Sequence, residues 1–430
     1  MLKKLTLEFD HFKSQSHNFK ILVLTNLVYA LVQPVIDIFV AAYIMRNSDD
    51  TSKVVIYQLA IYTGIPLTFL LNGLLLKYFN IRKLYSIGMM LSGVSMIIMM
   101  SLKNLDLLGI GVAGITMGLS FGLYWSNRDY LVLSITNDDN RNYYYGLETF
   151  FYTIIAIVIP ATIGWFIQSK TGADSKHGAY EVITGIVFVI TIFASVVCFR
   201  GKFQNPIQKK YIFFKFHPLW NKLLTLAMFK GLAQGFLVTA PAMLIFKLLG
   251  EEGALGKAQS IGAVLAAIII YFIGRFSKPE DRIKTFSAGL ILFAIGACFN
   301  AALFNEMGVI VFLLLLLIAK PLMDLAYYPI QLRVIDIVSK IEKRGEFTYI
   351  LNHEAGLYLG RLLGAGTFLV LYFAVSENVA LRYAVGIIAL LQLCSIFISK
   401  KIIAQGNKLA PEEEEEINPK ALEETANNIT

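Results

Sequence analysis

A chain of 430 residues that is 56% hydrophobic and only 16% charged, with a mean hydropathy of +0.62, does not fold as the two or three soluble domains its length would otherwise suit. The formal charge of +8 comes from short basic loops between apolar runs, with no basic block outside them, which argues against a nucleic-acid partner. Cys198, Cys298 and Cys394 are odd in number, widely spaced and set in or at the end of apolar runs, which indicates neither a disulfide framework nor a metal site.

The first residues, MLKKLTLEFDHFKSQSHNFK, lack a signal-peptide apolar region and a small-residue cleavage site, so the N-terminus is expected to be retained. Beyond them, apolar runs of about 20 residues recur, and in hydrocarbon such a run satisfies its backbone hydrogen bonds by becoming a helix. Twelve spans are predicted, at 20–45, 54–76, 84–101, 107–136, 143–168, 180–200, 219–249, 255–275, 285–304, 308–338, 347–375 and 379–399. Most Lys and Arg fall in alternate loops, such as Lys77/Arg82/Lys83, Arg200 to Lys222, Arg275/Lys278/Arg282/Lys284 and Lys340/Lys343/Arg344. The positive-inside rule then places both termini in the cytoplasm. After residue 401 the chain turns acidic and polar (PEEEEEINPKALEETANNIT), which reads as a disordered cytoplasmic tail.

The loop after span 2 repeats 201 residues later: Gly73, Lys77, Lys83 and Gly88 correspond without a gap to Gly274, Lys278, Lys284 and Gly289. The same offset pairs Gln33 of span 1 with Gln234 of span 7. The predicted fold is therefore an all-α integral membrane protein of two pseudo-symmetric six-helix bundles, 1–200 and 219–400, joined by a basic linker at 201–218 and followed by the tail at 401–430.

Two six-helix halves joined by a cytoplasmic loop, with a Gly-x-x-x-[charged]…[Arg/Lys]-[Arg/Lys] loop after spans 2 and 8, resemble the major facilitator superfamily over nearly the whole chain. The family's loop carries an Asp where this sequence has Lys77 and Lys278, and Asn80 stands near its second Gly, so the charge relay that the Asp forms in that family is not expected here. Ile159 to Gly164, with Pro160, resembles only distantly the Gly-Pro pattern of the exporter branch. The segment from Gly122 to Tyr130 is similar to bacterial branches of the family and names no substrate.

Ionisable residues at bilayer depth are costly unless paired or hydrated, which makes each a candidate. They are Asp37 in span 1, Arg128 and Asp129 in span 4, Glu148 in span 5, Lys230 in span 7, Lys320 and Asp324 in span 10, and Glu354 and Arg361 in span 11. The resemblance implies that spans 1, 4, 7 and 10 surround a central cavity, and most of these charges fall on them. Trp125 could stack on a sugar or simply pack. Lys320 and Asp324 stand i, i+4 and are expected to neutralise each other. Glu354 and Arg361 lie two turns apart on roughly one face. Lys230, with no local partner, is then the cation expected to meet an anionic solute; the competing expectation is a structural pair between Lys230 and Asp324 across the cavity. Gly73, Lys77, Arg82, Lys83, Gly274, Lys278 and Lys284 are the expected gating loops.

A Gly250…Gly256-Lys257 string lacks the spacing and the Ser/Thr of a phosphate loop, and His353-Glu354 lacks the second His of a zinc motif. No nucleophile–base constellation stands out, so no enzymatic activity and no cofactor are expected. The sequence reads as a monomeric secondary transporter of the inner membrane. It would move a small polar or anionic solute by alternating access, with protons as a coupling ion through Asp37, Asp324 or Glu354. The alternatives are an exporter of amphipathic compounds and a membrane sensor or scaffold on a transporter fold.

Overall fold

The computed structural model describes residues 10–409 apart from 103, 137, 206–211, 250–251 and 277–280. Lys278, part of the linker and the acidic tail beyond residue 409 lie outside the described residues. Eleven helices are long and apolar enough to cross a membrane, from span 1 (His17–Ser48) and span 2 (Thr51–Tyr78) to span 11 (Thr348–Ala374) and span 12 (Glu377–Leu409). The eighth expected span is the helix Glu252–Phe276, whose described apolar stretch, Gly256–Ile269, falls short of that measure. The last helix, Cys394–Leu409, runs past residue 401, where composition alone had placed the start of the tail.

Side-chain caps set where several helices begin. Asp50 accepts from the Ser52 amide, Asp106 from Gly109, Asn305 from Gly308 and Ser376 from Val379, each satisfying an amide that has no intrahelical partner. These four caps start spans 2, 4, 10 and 12 at the end of the molecule remote from the 201–218 linker, called here the far end. Span 10, Glu306–Glu342, has 37 residues and so is about 55 Å long, well beyond the hydrocarbon thickness of about 30 Å.

Spans 1 and 7 are not continuous α-helices. Span 1 runs as helix His17–Ala30, loses its α pattern around Leu31 and Val32, and continues as a π-helical segment Val35–Phe39 before helix Val40–Ser48. Pro34 has no amide hydrogen to give the ladder, so the chain rewinds there with a wider turn. Span 7 breaks between helices Pro218–Leu237 and Ala240–Leu249, just ahead of Pro241. The offset of the repeat carries the π segment onto residues 236–240, so both halves interrupt their first helix at matching depth.

Close backbone contact sets the two tightest seams. Between spans 7 and 11, a Cβ on Gly360 would lie 1.9 Å from the Met228 carbonyl oxygen, and one on Gly364 2.0 Å from that of Leu232. Between spans 2 and 4, a Cβ on Gly118 would lie 2.2 Å from the Ile61 carbonyl oxygen. Glycine at these positions lets helix backbones touch, which in lipid substitutes for the missing hydrophobic drive between helices.

The halves meet toward the far end. Spans 5 and 8 pack where a Cβ on Gly256 would approach the Pro160 carbonyl oxygen to 2.4 Å, and the Ser260 hydroxyl donates to the Ile157 carbonyl at 2.6 Å. Lys247 bridges Asp49 at 3.3 Å and Glu377 at 3.2 Å, Thr51 donates to Glu377 at 2.9 Å, and Tyr372 donates to Asp50 at 3.0 Å. At the linker end the described bonds remain within one half. His17 and Asn18 reach the Arg200 and Lys202 carbonyls, while the His217 amide donates to Glu342 and Lys222 to Gln405. Among the described residues the halves are thus bonded to each other at the far end, and the bonds at the linker end stay within one half.

Candidate functional site

Lys230 and Asp324 form an ion pair of 3.0 Å between spans 7 and 10. The ammonium also sits over the rings of Tyr327 and Tyr328, 4.0 and 3.8 Å from their centroids. An aromatic face attracts a cation through its quadrupole, most strongly where water is thin, and the Lys230 side chain is only 13% exposed. Behind this box the Tyr327 hydroxyl and His353 Nε2 are 2.6 Å apart. The arrangement corrects the pairing expected from helical spacing. Asp324 serves Lys230 on another helix, not Lys320 one turn away.

Glu354 and Arg361 do pair along span 11, as their shared face suggested. Arg361 does more than neutralise a carboxylate. Its Nε donates to the Gln234 side chain at 3.1 Å, and its guanidinium stacks 4.9 Å from the Tyr62 ring centroid of span 2. The Tyr62 hydroxyl in turn donates to the Gln234 carbonyl at 2.9 Å. Arg361 and Gln234 therefore tie the second half to the first, at the inner edge of the far-end seal.

Asp37 and Lys320 remain. Neither has an ion-pair or hydrogen-bond partner among the described residues, and both side chains are exposed. Asp37 sits mid-way in the π segment between buried Ile36 and Ile38. Lys320 lies on span 10 of the opposite half, close enough to act on Asp37 electrostatically yet beyond ion-pair reach. Buried tyrosines of spans 1 and 2, Tyr29, Tyr57 and Tyr62, lie within the field of the same carboxylate. Gln33 lies just before the π segment, half-buried.

The first half has its own polar cluster. Buried Arg128 pairs with Glu148 and, at 2.6 Å, with Asp129. Glu148 also accepts from Asn26, which bonds Tyr85 and Tyr144. Trp125 packs against Tyr124 with 4.9 Å between ring centroids, and the Arg128 guanidinium lies 5.6 Å from the Trp125 ring, so the indole belongs to this cluster. Asn26 and Tyr85 escaped the sequence reading because uncharged polar residues in an apolar run carry no charge signal.

The loop after span 2 is held by hydrogen bonds rather than a charge relay. Asn205 of the linker donates to the Leu76 and Phe79 carbonyls at 3.0 and 2.9 Å and accepts from the Ile81 amide at 2.8 Å. Arg82 donates to the Phe199 and Gly201 carbonyls, each at 3.0 Å. Lys77 and Lys83 are exposed beside it, and Gly73 is buried one turn earlier. In the second copy Gly274 lies within the Glu252–Phe276 helix and Lys284 pairs with Asp281 at 3.3 Å in solvent. The far-end lock of Asp49, Lys247 and Glu377 was also missed; its signal is two acidic loop residues and a lysine in the last turn of span 7, which the predicted topology puts on one side.

Two helical bundles that hold paired charges at membrane depth and bond to each other at one end define a polytopic secondary transporter. The chain belongs to the major facilitator superfamily, whose sequence pattern matches residues 22–365. It is similar to the uncharacterized protein YqgE of Bacillus subtilis (strain 168), with 22% identity over 84% of each chain. It also resembles an uncharacterized protein from the sodM 3' region of Geobacillus stearothermophilus, 26% identical over 37% of this chain and 74% of the other. Among solved structures, a bacterial homolog of the human lysosomal transporter Spinster, inward-facing and unoccupied, matches with a TM-score of 0.59 and 13% identity. That match covers 92% of this chain and 98% of the other. At that identity the likeness concerns the fold alone.

Proposed function

We propose that this chain carries a small polar or anionic solute, such as a sugar or organic anion, across the inner membrane by alternating access. The termini and the linker lie in the cytoplasm in this reading. The two bundles rock about the seam between them, exposing the cleft to each side in turn. One observation carries the reading. Lys230, Arg361 and Arg128 each hold a carboxylate, whereas Lys320 is exposed with no carboxylate bonded to it among the described residues. A cation left unpaired at such depth is costly, and a solute anion would satisfy it through charge-assisted hydrogen bonds. Protons couple the cycle through one of the cleft carboxylates, Asp37, Asp324 or Glu354.

Counterflow into proteoliposomes with mixed organic anions and sugars tests the reading. Lys320→Met is expected to cut accumulation of the active solute roughly tenfold or more, the worth of one charged hydrogen bond, while the protein remains in the membrane. Undiminished flux in that variant would remove Lys320 from the site. Reporter fusions after residues 210 and 408 are expected to score as cytoplasmic and one at Asn305 as external, since alternate loops carry the Lys/Arg excess. A reversed pattern would invert the proposed orientation.

A further inference from the structure

Among the described residues considered above, a cation and a carboxylate at membrane depth remain apart, and this pairing of opposites narrows the solute. Every other intramembrane charge considered above is already matched: Lys230 with Asp324, Arg361 with Glu354, and Arg128 with Glu148 and Asp129. Matching is what a low-dielectric interior demands, because an isolated charge there costs several kcal/mol. Asp37 and Lys320 project from opposite halves, both exposed, with no hydrogen bond or ion pair to anything described. Asp37 owes its place to the π turn after Pro34, which keeps its flanking residues Ile36 and Ile38 buried while the carboxylate stands clear. Lys320 precedes Pro321 on span 10, and its neighbour Ala319 is fully buried, so its long side chain likewise leaves a packed surface.

We propose that Asp37 and Lys320 are the two ends of one binding site for a zwitterionic solute, with Asp37 taking an ammonium group and Lys320 a carboxylate. The proposal rests on the carrier reading above and specifies its solute. A site with charges of opposite sign at its two ends would exclude a simple anion less by shape than by energy, because the anion would leave Asp37 unmatched and would itself lie in that carboxylate's field. A simple amine meets the mirror difficulty at Lys320. A solute bearing both charges at the right separation satisfies both ends at once and draws the halves together, since the ends belong to different bundles. With Asp37 occupied by the solute, coupling falls to Asp324 or Glu354, either of which can release its cation.

Purified full-length protein is titrated in thermal-shift assays with ω-amino acids from glycine to 6-aminohexanoate. Each is set against the carboxylic acid and the amine of the same chain length. Stabilisation is expected to peak at one chain length, with the matched acid and amine bound about ten- to a hundredfold more weakly, the loss of one charged hydrogen bond. Asp37→Asn should cost the amino acid that same factor while binding the acid as well as or better than wild type; Lys320→Met should do the converse with the amine. Asp37→Glu, one methylene longer, should move the optimum to a shorter chain. Neither wild-type side chain holds a bond, so these variants keep their fold.

Equal affinity of wild type for acid and amino acid at every length would overturn the proposal. So would full counterflow in Asp37→Asn combined with Lys320→Met, which would make the two residues a structural pair. If no ω-amino acid shifts the protein while a different solute drives counterflow, the zwitterion assignment fails and the carrier stands; if no solute of any class drives counterflow, both fail.

Discussion

Replacing Lys230 with Met alone is expected to destabilise the protein by about 2–3 kcal/mol, and adding Asp324→Asn should restore most of that loss. Breaking a buried ion pair usually costs about 3–5 kcal/mol because the surviving charge is left without a partner. The figure is lower here because the Asp324 side chain is 35% exposed to the cleft and water offsets part of the cost. In the double variant no charge is stranded, and the Met side chain fits between the rings of Tyr327 and Tyr328 that now hold the ammonium. Thermal unfolding of the purified single and double variants checks this. A double variant as unstable as the Lys230→Met single would show that Lys230 is held by something other than Asp324, and would return it to the role of a free solute ligand.

Gly360→Ala is expected to abolish the folded protein, a loss of more than about 4 kcal/mol, whereas Gly366→Ala two turns along the same helix should be neutral or slightly stabilising. The new methyl at Gly360 would meet backbone on both sides, 1.9 Å from the Met228 carbonyl oxygen and 2.7 Å from the Leu232 amide nitrogen, so no side chain can move aside. Spans 7 and 11 would have to part along a seam that Gly231, Gly235 and Gly364 also keep tight. At Gly366 nothing lies within 4 Å of the added atom. Yield of monodisperse protein and its melting temperature read both variants. Normal folding of Gly360→Ala would mean that the two helices are not in backbone contact.

The helical spans were legible because lipid imposes one rule on every residue: a run of about 20 apolar side chains has few alternatives to a helix. Glu354 and Arg361 were legible for a related reason, since two turns of one helix put them on one side. The same reasoning failed for Lys320 and Asp324. Periodicity places residues on a face but cannot say which neighbouring helix that face meets, and Lys230, 94 positions away, reached Asp324 first. The loop after span 2 shows the converse. Lys77 in place of the family's Asp showed that the usual relay was missing, but nothing nearby showed that Asn205, in the linker, would hold the turn instead. Pro34 marked a break in span 1 without revealing that the chain would resume as a π turn with Asp37 at its centre.

The linker is bolted down at both ends. On one side Asn205 and Lys202 are hydrogen-bonded to the first bundle; on the other, the Lys215 carbonyl accepts from Arg344 at 2.7 Å and the His217 amide donates to Glu342 at 2.6 Å in the second. Each end of the linker is thus fastened to its own bundle, so neither anchorage ties one bundle to the other. What joins the bundles is instead side-chain contact, such as that of Arg361 and Gln234 with Tyr62.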